Sequence, residues 1–162
     1  MEVSQMLVGA GAHVNATDKD GNTPLLFSTR DGRVEVSQML VGAGANVHAT
    51  DNDGSTPLHM SAFNGRVEAS RMLVGARANV HATNNLGSTP LHFAAIEGHV
   101  EVCQLLVGTG ANVHAADQKG KTPLDLAKDP IFRHKGHSAV VAFLQQGAPL
   151  CNTTTPQLTH LT

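Results

Sequence analysis

The chain has 162 residues, which suits one domain or one short repeat array, and it carries a formal net charge of −2. This nearly even balance of charge argues against a dedicated nucleic-acid-binding protein, because such proteins need an excess of basic residues to contact phosphates. Aromatic residues make up only 3% of the sequence, with neither Trp nor Tyr, so platforms for base stacking are nearly absent.

A repeated unit of 33 residues organises the chain. The residues EVSQMLVGAGA at 2–12 return at 35–45, and Thr-Pro-Leu occurs in four copies, each 33 residues after the last. These copies occupy 23–25, 56–58, 89–91 and 122–124. A constant period of about 20 to 50 residues indicates stacked supersecondary units, because one unit cannot bury its hydrophobic face alone.

Each unit is predicted to begin with a short helix. The threonine of each Thr-Pro-Leu copy suits the N-cap, since its hydroxyl accepts a hydrogen bond from a free backbone N–H. Proline then takes the first helical position, where its missing N–H matters little. In one unit this pattern predicts a helix over 57–63. A left-handed glycine is predicted to end the first helix in three units, at Gly32, Gly65 and Gly98.

A second helix is predicted to begin near Val34, Val67 and Val100, where apolar residues recur at helical spacing. Gly44 and Gly110 are predicted to close two of these helices. An extended Asn-Val-His-Ala segment then leads to a turn such as Asp-Asn-Asp-Gly. Each unit therefore reads as helix, turn, helix and a projecting β-turn finger.

The stretches at 51–83 and 84–116 resemble consecutive ankyrin repeats, because each has Thr-Pro-Leu-His near its start and Asn-Val-His-Ala near its end. The resemblance implies an all-α repeat fold, an α-solenoid of helix-turn-helix units with projecting β-turn fingers. Because Met1 aligns inside a second helix, we expect a fragment of a longer array; the alternative is that this helix caps the array. The expected domains are an array at 1–150, made of a partial repeat 1–17, repeats at approximately 18–50, 51–83 and 84–116 and a degenerate last repeat 117–150, and a flexible C-terminal tail at 151–162. The repeats from 18 onward are called the first, second, third and last units below.

Two departures from the repeat stand out. Arg77 occupies the position of Gly44 and Gly110, where a positive φ costs a non-glycine residue about 1–2 kcal/mol. Arg77 is either a cation presented to a partner or a tolerated substitution. The last unit carries extra residues around 129–135, where Pro130 is expected to end the first helix. The basic residues there either contact an acidic partner or a phosphate, or form a solvated insertion: Lys128, Arg133, His134, Lys135 and His137.

The histidines and cysteines do not form a convincing catalytic or metal site. Equivalent histidines in stacked units, such as His48 and His81, lie about 8–10 Å apart, whereas zinc ligands converge at about 2 Å from the ion. The resemblance implies that His59 and His92 are buried and bond back to the N-cap threonine. Cys103 lacks the positioned base that a nucleophile needs. We therefore expect no enzyme activity, no cofactor and no metal.

The resemblance implies a concave groove, lined by finger tips and first helices, that binds another protein. Its centre offers Phe63, Leu86 and Ile96, which we predict to be anchors; the alternative is that they cover neighbouring helices. The candidate protein-binding residues are Lys19, Asp20, Arg30, Asp31, Asn52, Asp53, Phe63, Asn64, Asn85, Leu86, Ile96, Glu97, Gln118 and Lys119.

The expected role is that of an adaptor or scaffold, and the alternative is a regulatory segment of a larger enzyme, channel or effector protein. No apolar run reaches the ~18 residues of a membrane span. The two cysteines, Cys103 and Cys151, are too few for a disulfide framework. We expect a cytoplasmic monomer, with the nucleus as a second possible compartment, that contacts neither nucleic acid nor membrane.

Overall fold

A computed structural model of the chain describes residues 13–132 and 136–146. Within these ranges there are helices and turns but no strands, so the predicted all-α class is confirmed. The predicted start of the partial repeat and the predicted C-terminal tail lie outside the described residues. The helices are α1 (Pro24–Arg30), α2 (Val34–Gly42), α3 (Pro57–Phe63), α4 (Val67–Gly75), α5 (Pro90–Ile96), α6 (Val100–Gly108), α7 (Pro123–Lys128) and α8 (His137–Gln145), with a 3-10 turn at Pro130–Phe132.

The first helices begin and end as their residue types dictate. Each follows an N-cap threonine in extended conformation and has proline in its first turn. Thr56, for example, accepts a hydrogen bond from the backbone N–H of His59 and leads directly into α3. Gly32, Gly65 and Gly98 all have positive φ after their helices, so the predicted left-handed ends are confirmed.

The second helices end at a position that demands a left-handed backbone. Gly44 and Gly110 have φ values of 91° and 101°. Arg77, at the equivalent position, has a φ of 65° and is the single non-glycine residue with positive φ in the described part of the chain. The prediction that this site requires a left-handed conformation is therefore confirmed.

The helices stack in two rows. The first helices α1, α3, α5 and α7 pack in sequence against one another, and each also packs against the second helix of its own unit. The second helices form a parallel row on the other side. Between the rows, equivalent leucines such as Leu58, Leu73, Leu91 and Leu106 are completely buried. Since each unit covers its neighbour's apolar face, the predicted α-solenoid is confirmed.

The contact between the two helices of a unit changes along the stack. Ser61 and Ser70 form a buried hydrogen bond of 2.9 Å between their hydroxyl oxygens in the second unit, and the first unit has the same pair. In the third unit the equivalent residues are Ala94 and Cys103, both completely buried. The interior therefore becomes less polar towards the C-terminal end.

The sequence predicted an extended segment before each finger, and this prediction is wrong. The segment contains a tight turn. In the first unit, the side-chain oxygen of Asn46 accepts a hydrogen bond from the backbone N–H of His48 at 2.9 Å. Asn79 and Asn112 make the same bond in the next two units. Asparagine readily forms this local bond to the backbone two residues on, which explains the turn.

The last unit departs from the others where the sequence predicted. Helix α7 ends at Lys128, and the 3-10 turn that begins at Pro130 replaces its continuation. The basic cluster proposed here is only partly a surface feature. His137 is buried, and its Nε2 donates a hydrogen bond to the carbonyl of Ile96 at 2.7 Å. Arg133, His134 and Lys135 lie outside the described residues.

Candidate functional site: the groove between fingers and first helices

Each finger is shaped by an Asp or Asn at its base. In the second unit, Oδ1 of Asp51 accepts hydrogen bonds from the backbone N–H groups of Asp53 and Ser55, at 3.0 Å and 2.8 Å. Asp18, Asn84 and Asp117 do the same in the other fingers. At Asp18 such bonds favour the carboxylate form, and the bond from the backbone N–H of Asn22 is the main reason that the pKa of Asp18 is lowered.

A ladder of hydrogen bonds joins the finger tips. The backbone N–H of Asn85 donates to the carbonyl of Asp53, and its side-chain amide donates to the carbonyl of Asn52, both at 2.9 Å. Asn52 and Gln118 repeat the arrangement on their own preceding fingers. The side-chain amides of these three predicted binding residues therefore hold the fingers in register.

Two buried histidines tie the first helices to the fingers. Nδ1 of His59 accepts hydrogen bonds from the hydroxyl and the backbone N–H of Thr56, at 2.8 Å and 3.1 Å. Its Nε2 donates to the carbonyl of Ser88 in the next finger at 3.0 Å. Burial disfavours the charged ring and lowers the pKa of His59 to about 4, so the ring is neutral at pH 7.

His92 repeats this bridge one unit later. Its Nδ1 accepts from Thr89, and its Nε2 donates to the carbonyl of Lys121 at 3.0 Å. Burial also lowers the pKa of His92. The resemblance-based expectation that both histidines bond to the N-cap threonine is confirmed, and the bond to the following finger is an addition that the sequence did not reveal.

A second set of bridges holds the C-terminal ends of the first helices. Nε2 of His99 donates to the carbonyl of Phe63 at 3.0 Å, and Nε of Arg66 donates to the carbonyl of Arg30 at 3.2 Å. His137 contacts the carbonyl of Ile96 in the same way. The residues Phe63 and Ile96 therefore sit on backbone that the next unit holds in place.

The three predicted anchors line one small cavity. The cavity has a volume of about 170 Å³ and is surrounded by Phe63, Leu86 and Ile96. Phe93, His92 and other residues of the second, third and last units complete its walls. Phe63 and Leu86 are exposed by 41% and 61%, and Ile96 is half-buried. We call this cavity the central pocket; its lining residues are Phe63, Asn84, Leu86, Ser88, His92, Phe93, Ile96 and Leu126.

A wider depression of about 510 Å³ adjoins the central pocket on the side of the first unit. It shares Phe63, Leu86 and Phe93 with the pocket and adds polar groups from the first and second units. Six of the predicted binding residues line it: Arg30, Asp53, Phe63, Asn64, Asn85 and Leu86. We refer to the central pocket and this depression together as the groove.

Several predicted residues have local roles, and others flank the groove. Asn64 donates its side-chain amide to the carbonyl of Met60 at 2.8 Å and so caps its own helix. Asp31 pairs with Arg30 at 3.2 Å. Glu97 is half-buried. The other predicted residues lie exposed in the fingers of the first, second and last units: Lys19, Asp20, Asn52, Gln118 and Lys119.

Phe93, which lies at the junction of the central pocket and the depression, was not predicted as a binding residue. Its ring packs edge-on against Phe63 at 5.8 Å and against His59 at 5.3 Å, measured between ring centroids. The signal was present, because this helix position is apolar in every unit, as Phe27, Met60, Phe93 or Leu126. In each of the two central units this position lies three residues before a predicted anchor, with Met60 before Phe63 and Phe93 before Ile96. Residues three apart lie on the same helix face.

The remaining reactive groups are inaccessible or dispersed. Cys103 is completely buried, and burial raises the pKa of its thiol to about 12, so it is neutral at physiological pH. His48, His81 and His114 are exposed. Across residues 13–132 and 136–146, no group of three His, Cys, Asp or Glu side chains converges as a metal site would require.

Comparison with known families identifies the repeat. A family model described as ankyrin repeats, in three copies, matches residues 2–84 and 71–155, which together include most of the chain. Comparison with curated proteins gives no match. Within the described residues, every helix is too short or too polar to cross a membrane.

Proposed function

Since this chain belongs to the ankyrin-repeat family, we propose that it binds a partner protein through the groove. Ankyrin repeats are generally protein–protein interaction modules. The observation that carries the proposal is the convergence of Phe63, Leu86 and Ile96 on one open pocket. An apolar centre within a polar rim is typical of protein interfaces, and large side chains at the centre usually dominate the binding energy.

The proposed role is that of a stoichiometric adaptor or scaffold without turnover. Ankyrin-repeat proteins are typically non-enzymatic binding modules, and the inert thiol of Cys103 agrees with this role. We further propose that the chain acts as a monomer in the cytoplasm, in keeping with its few cysteines.

Site-specific crosslinking tests whether the groove contacts a partner. A photoreactive amino acid replaces Leu86 in one variant and Ile131 in a matched control, because Ile131 is 81% exposed but lies outside the groove. Both variants are irradiated in cells of the source organism. We expect a protein that crosslinks at position 86 and not at position 131.

The captured protein is then purified and its affinity measured by calorimetry. We expect Leu86→Ala and Phe63→Ala each to weaken binding by about tenfold or more, because truncating a central anchor typically costs about 2 kcal/mol and every 1.4 kcal/mol is tenfold. Ile131→Ala is the control and should bind as the wild type does. Equal crosslinking at both positions, or unchanged affinity in the two groove variants, would contradict the proposal.

A further inference from the structure

At one position of the finger, the residue changes from acidic to apolar to basic along the stack. The third residue of each finger is Asp20 in the first unit, Asp53 in the second, Leu86 in the third and Lys119 in the last. All four are exposed. The ladder between the finger tips holds successive fingers in register. This row therefore presents two anionic sites, one apolar site and one cationic site.

The charges at the two ends of this row are available to a ligand. Among the described residues, the carboxylates of Asp20 and Asp53 and the ammonium group of Lys119 take part in no ion pair. Arg30 also lines the groove, but its guanidinium group pairs with Asp31 at 3.2 Å and lies 4.8 Å above the ring of Phe27.

The acidic groups near the last finger are held in local hydrogen bonds, since Asp125 accepts from Thr122 and Asp129 accepts from the backbone N–H of Ile131. Asp117 lies at the base of the last finger, where its Oδ1 accepts hydrogen bonds from the backbone N–H groups of Lys119 and Lys121. Lys121 and Lys128 add two further exposed cations on that side. In the second unit, Asp51 adds a second carboxylate to the depression. The exposed finger tips are therefore acidic at the second finger and basic at the last, where Lys119 lies just beyond the residues that line the groove.

The central pocket between these charges has the size of one side chain. Its volume is about 170 Å³. A cavity of about 150 Å³ with aliphatic and aromatic walls holds one benzene molecule. The pocket walls include Phe63, Leu86, Phe93 and Ile96. A leucine, methionine or phenylalanine side chain therefore matches both the volume and the chemistry of the pocket.

We propose, on the premise of the proposed function, that the partner contributes a peptide segment with a basic, an apolar and an acidic side chain in that order. The basic group pairs with Asp53, the apolar group enters the central pocket and the acidic group pairs with Lys119. Packed helices lie about 8–10 Å apart, and an extended chain advances about 3.3 Å per residue. The three side chains are thus about three residues apart in an extended segment.

Selection from a phage-displayed library of random dodecapeptides tests this order. The baits are the wild type, Asp53→Lys and Lys119→Asp, with Glu101→Lys as a matched charge reversal on the exposed side of α6. Leu86→Ala serves as a counter-selection for binding to the pocket. Circular dichroism and thermal melting of every bait confirm that it folds as the wild type does.

We expect the wild type to enrich peptides with an apolar residue, Lys or Arg about three positions to one side and Asp or Glu about three positions to the other. Asp53→Lys should lose the preference for a basic residue, and Lys119→Asp should lose the preference for an acidic residue. Each reversal should weaken a wild-type-selected peptide by about tenfold, more so at low salt. Glu101→Lys should change neither preference.

The outcomes separate this inference from the proposed function. Peptides that lose binding to Leu86→Ala but show no charge order, or keep their order with both reversed baits, would overturn the inference and leave the groove as a protein-binding site. Enrichment of no peptide would overturn the inference alone, since a folded partner can still occupy the groove. Enrichment of peptides that bind Leu86→Ala as well as the wild type would overturn both.

Discussion

The two central units and the two outer units follow one template but are braced differently. In the second and third units, His59 and His92 connect the N-cap threonine to the finger of the next unit. In the first unit Leu26 takes this position, and Thr23 accepts only the bond from its backbone N–H. In the last unit, Asp125 bonds to Thr122 alone.

The better-braced units are also the ones that carry the apolar groove. His92 lines the central pocket itself, and His59 packs against Phe93 in its wall. Walls whose backbone and rotamers are already held lose little conformational freedom when a partner binds, which favours affinity. The repeated template therefore supplies the fold, whereas the residues at one or two positions of each unit decide where a rigid binding surface forms.

The largest expected effect follows removal of one histidine bridge. His59→Ala deletes a completely buried ring and leaves Thr56 without its acceptor. The cavity and the lost hydrogen bonds together should reduce the free energy of unfolding by about 4 kcal/mol. Urea denaturation measures this loss. His81→Ala, the same change at an exposed position, is the control, and an equal effect in both variants would show that the bridge adds no stability.

Acid should weaken the same bridge in the wild type. Burial lowers the pKa of His59 from the ordinary 6.5 to about 4, and burial lowers that of His92 as well. Between pH 6.5 and pH 4 the unfolded chain binds protons that the folded chain excludes, so stability falls as the pH falls. His59 alone should lower the free energy of unfolding by on the order of 3 kcal/mol between pH 6.5 and pH 4, and it should cause no change above pH 6.5. Urea denaturation at several pH values measures the slope.

A variant of the second unit that carries the first unit's residue at position 59 tests whether His59 causes this pH dependence of stability. The variant is His59→Leu, because Leu26 is the equivalent residue of the first unit. It should be less stable than the wild type at pH 7, because the bond to the carbonyl of Ser88 is lost. It should also lose less stability between pH 6.5 and pH 4. A slope equal to that of the wild type would assign the pH dependence to other groups.

Arg77 provides a smaller difference between a central unit and its neighbours. Its φ of 65° is one that a side chain with a Cβ atom adopts only with strain. Arg77→Gly should therefore raise the free energy of unfolding by about 1 kcal/mol, after allowance for the greater freedom of glycine in the unfolded chain. Thermal melting measures the gain.

The reverse substitution is the control for Arg77. Gly44 has a φ of 91°, and a Cβ atom placed there would meet no other atom within 4 Å. Gly44→Arg should consequently lose about 1 kcal/mol from backbone strain alone. A lower melting temperature for Arg77→Gly than for the wild type would show instead that the arginine side chain makes a stabilising contact.

Features that a local rule governs in every copy could be predicted from the sequence. The threonine caps, the ends of the helices and the left-handed conformation of Arg77 all follow from residue type and the 33-residue period. The bond from His59 to the carbonyl of Ser88 could not be predicted, because it spans two units and depends on their spacing. Phe93 was missed although its position is apolar in every unit, since a buried core role explains that pattern equally well.

The smallest expected effect on stability belongs to Leu86, one of the two residues whose truncation should weaken binding. Leu86 is 61% exposed at a finger tip, so Leu86→Ala removes little buried area and should change the free energy of unfolding by less than about 0.5 kcal/mol. Leu91 of the same unit is completely buried, and Leu91→Ala should lose about 3 kcal/mol. Thermal melting distinguishes the two. A large loss of stability in Leu86→Ala would mean that the side chain covers neighbouring helices instead of serving as an anchor. The central pocket would then be a part of the folded core and not a binding site.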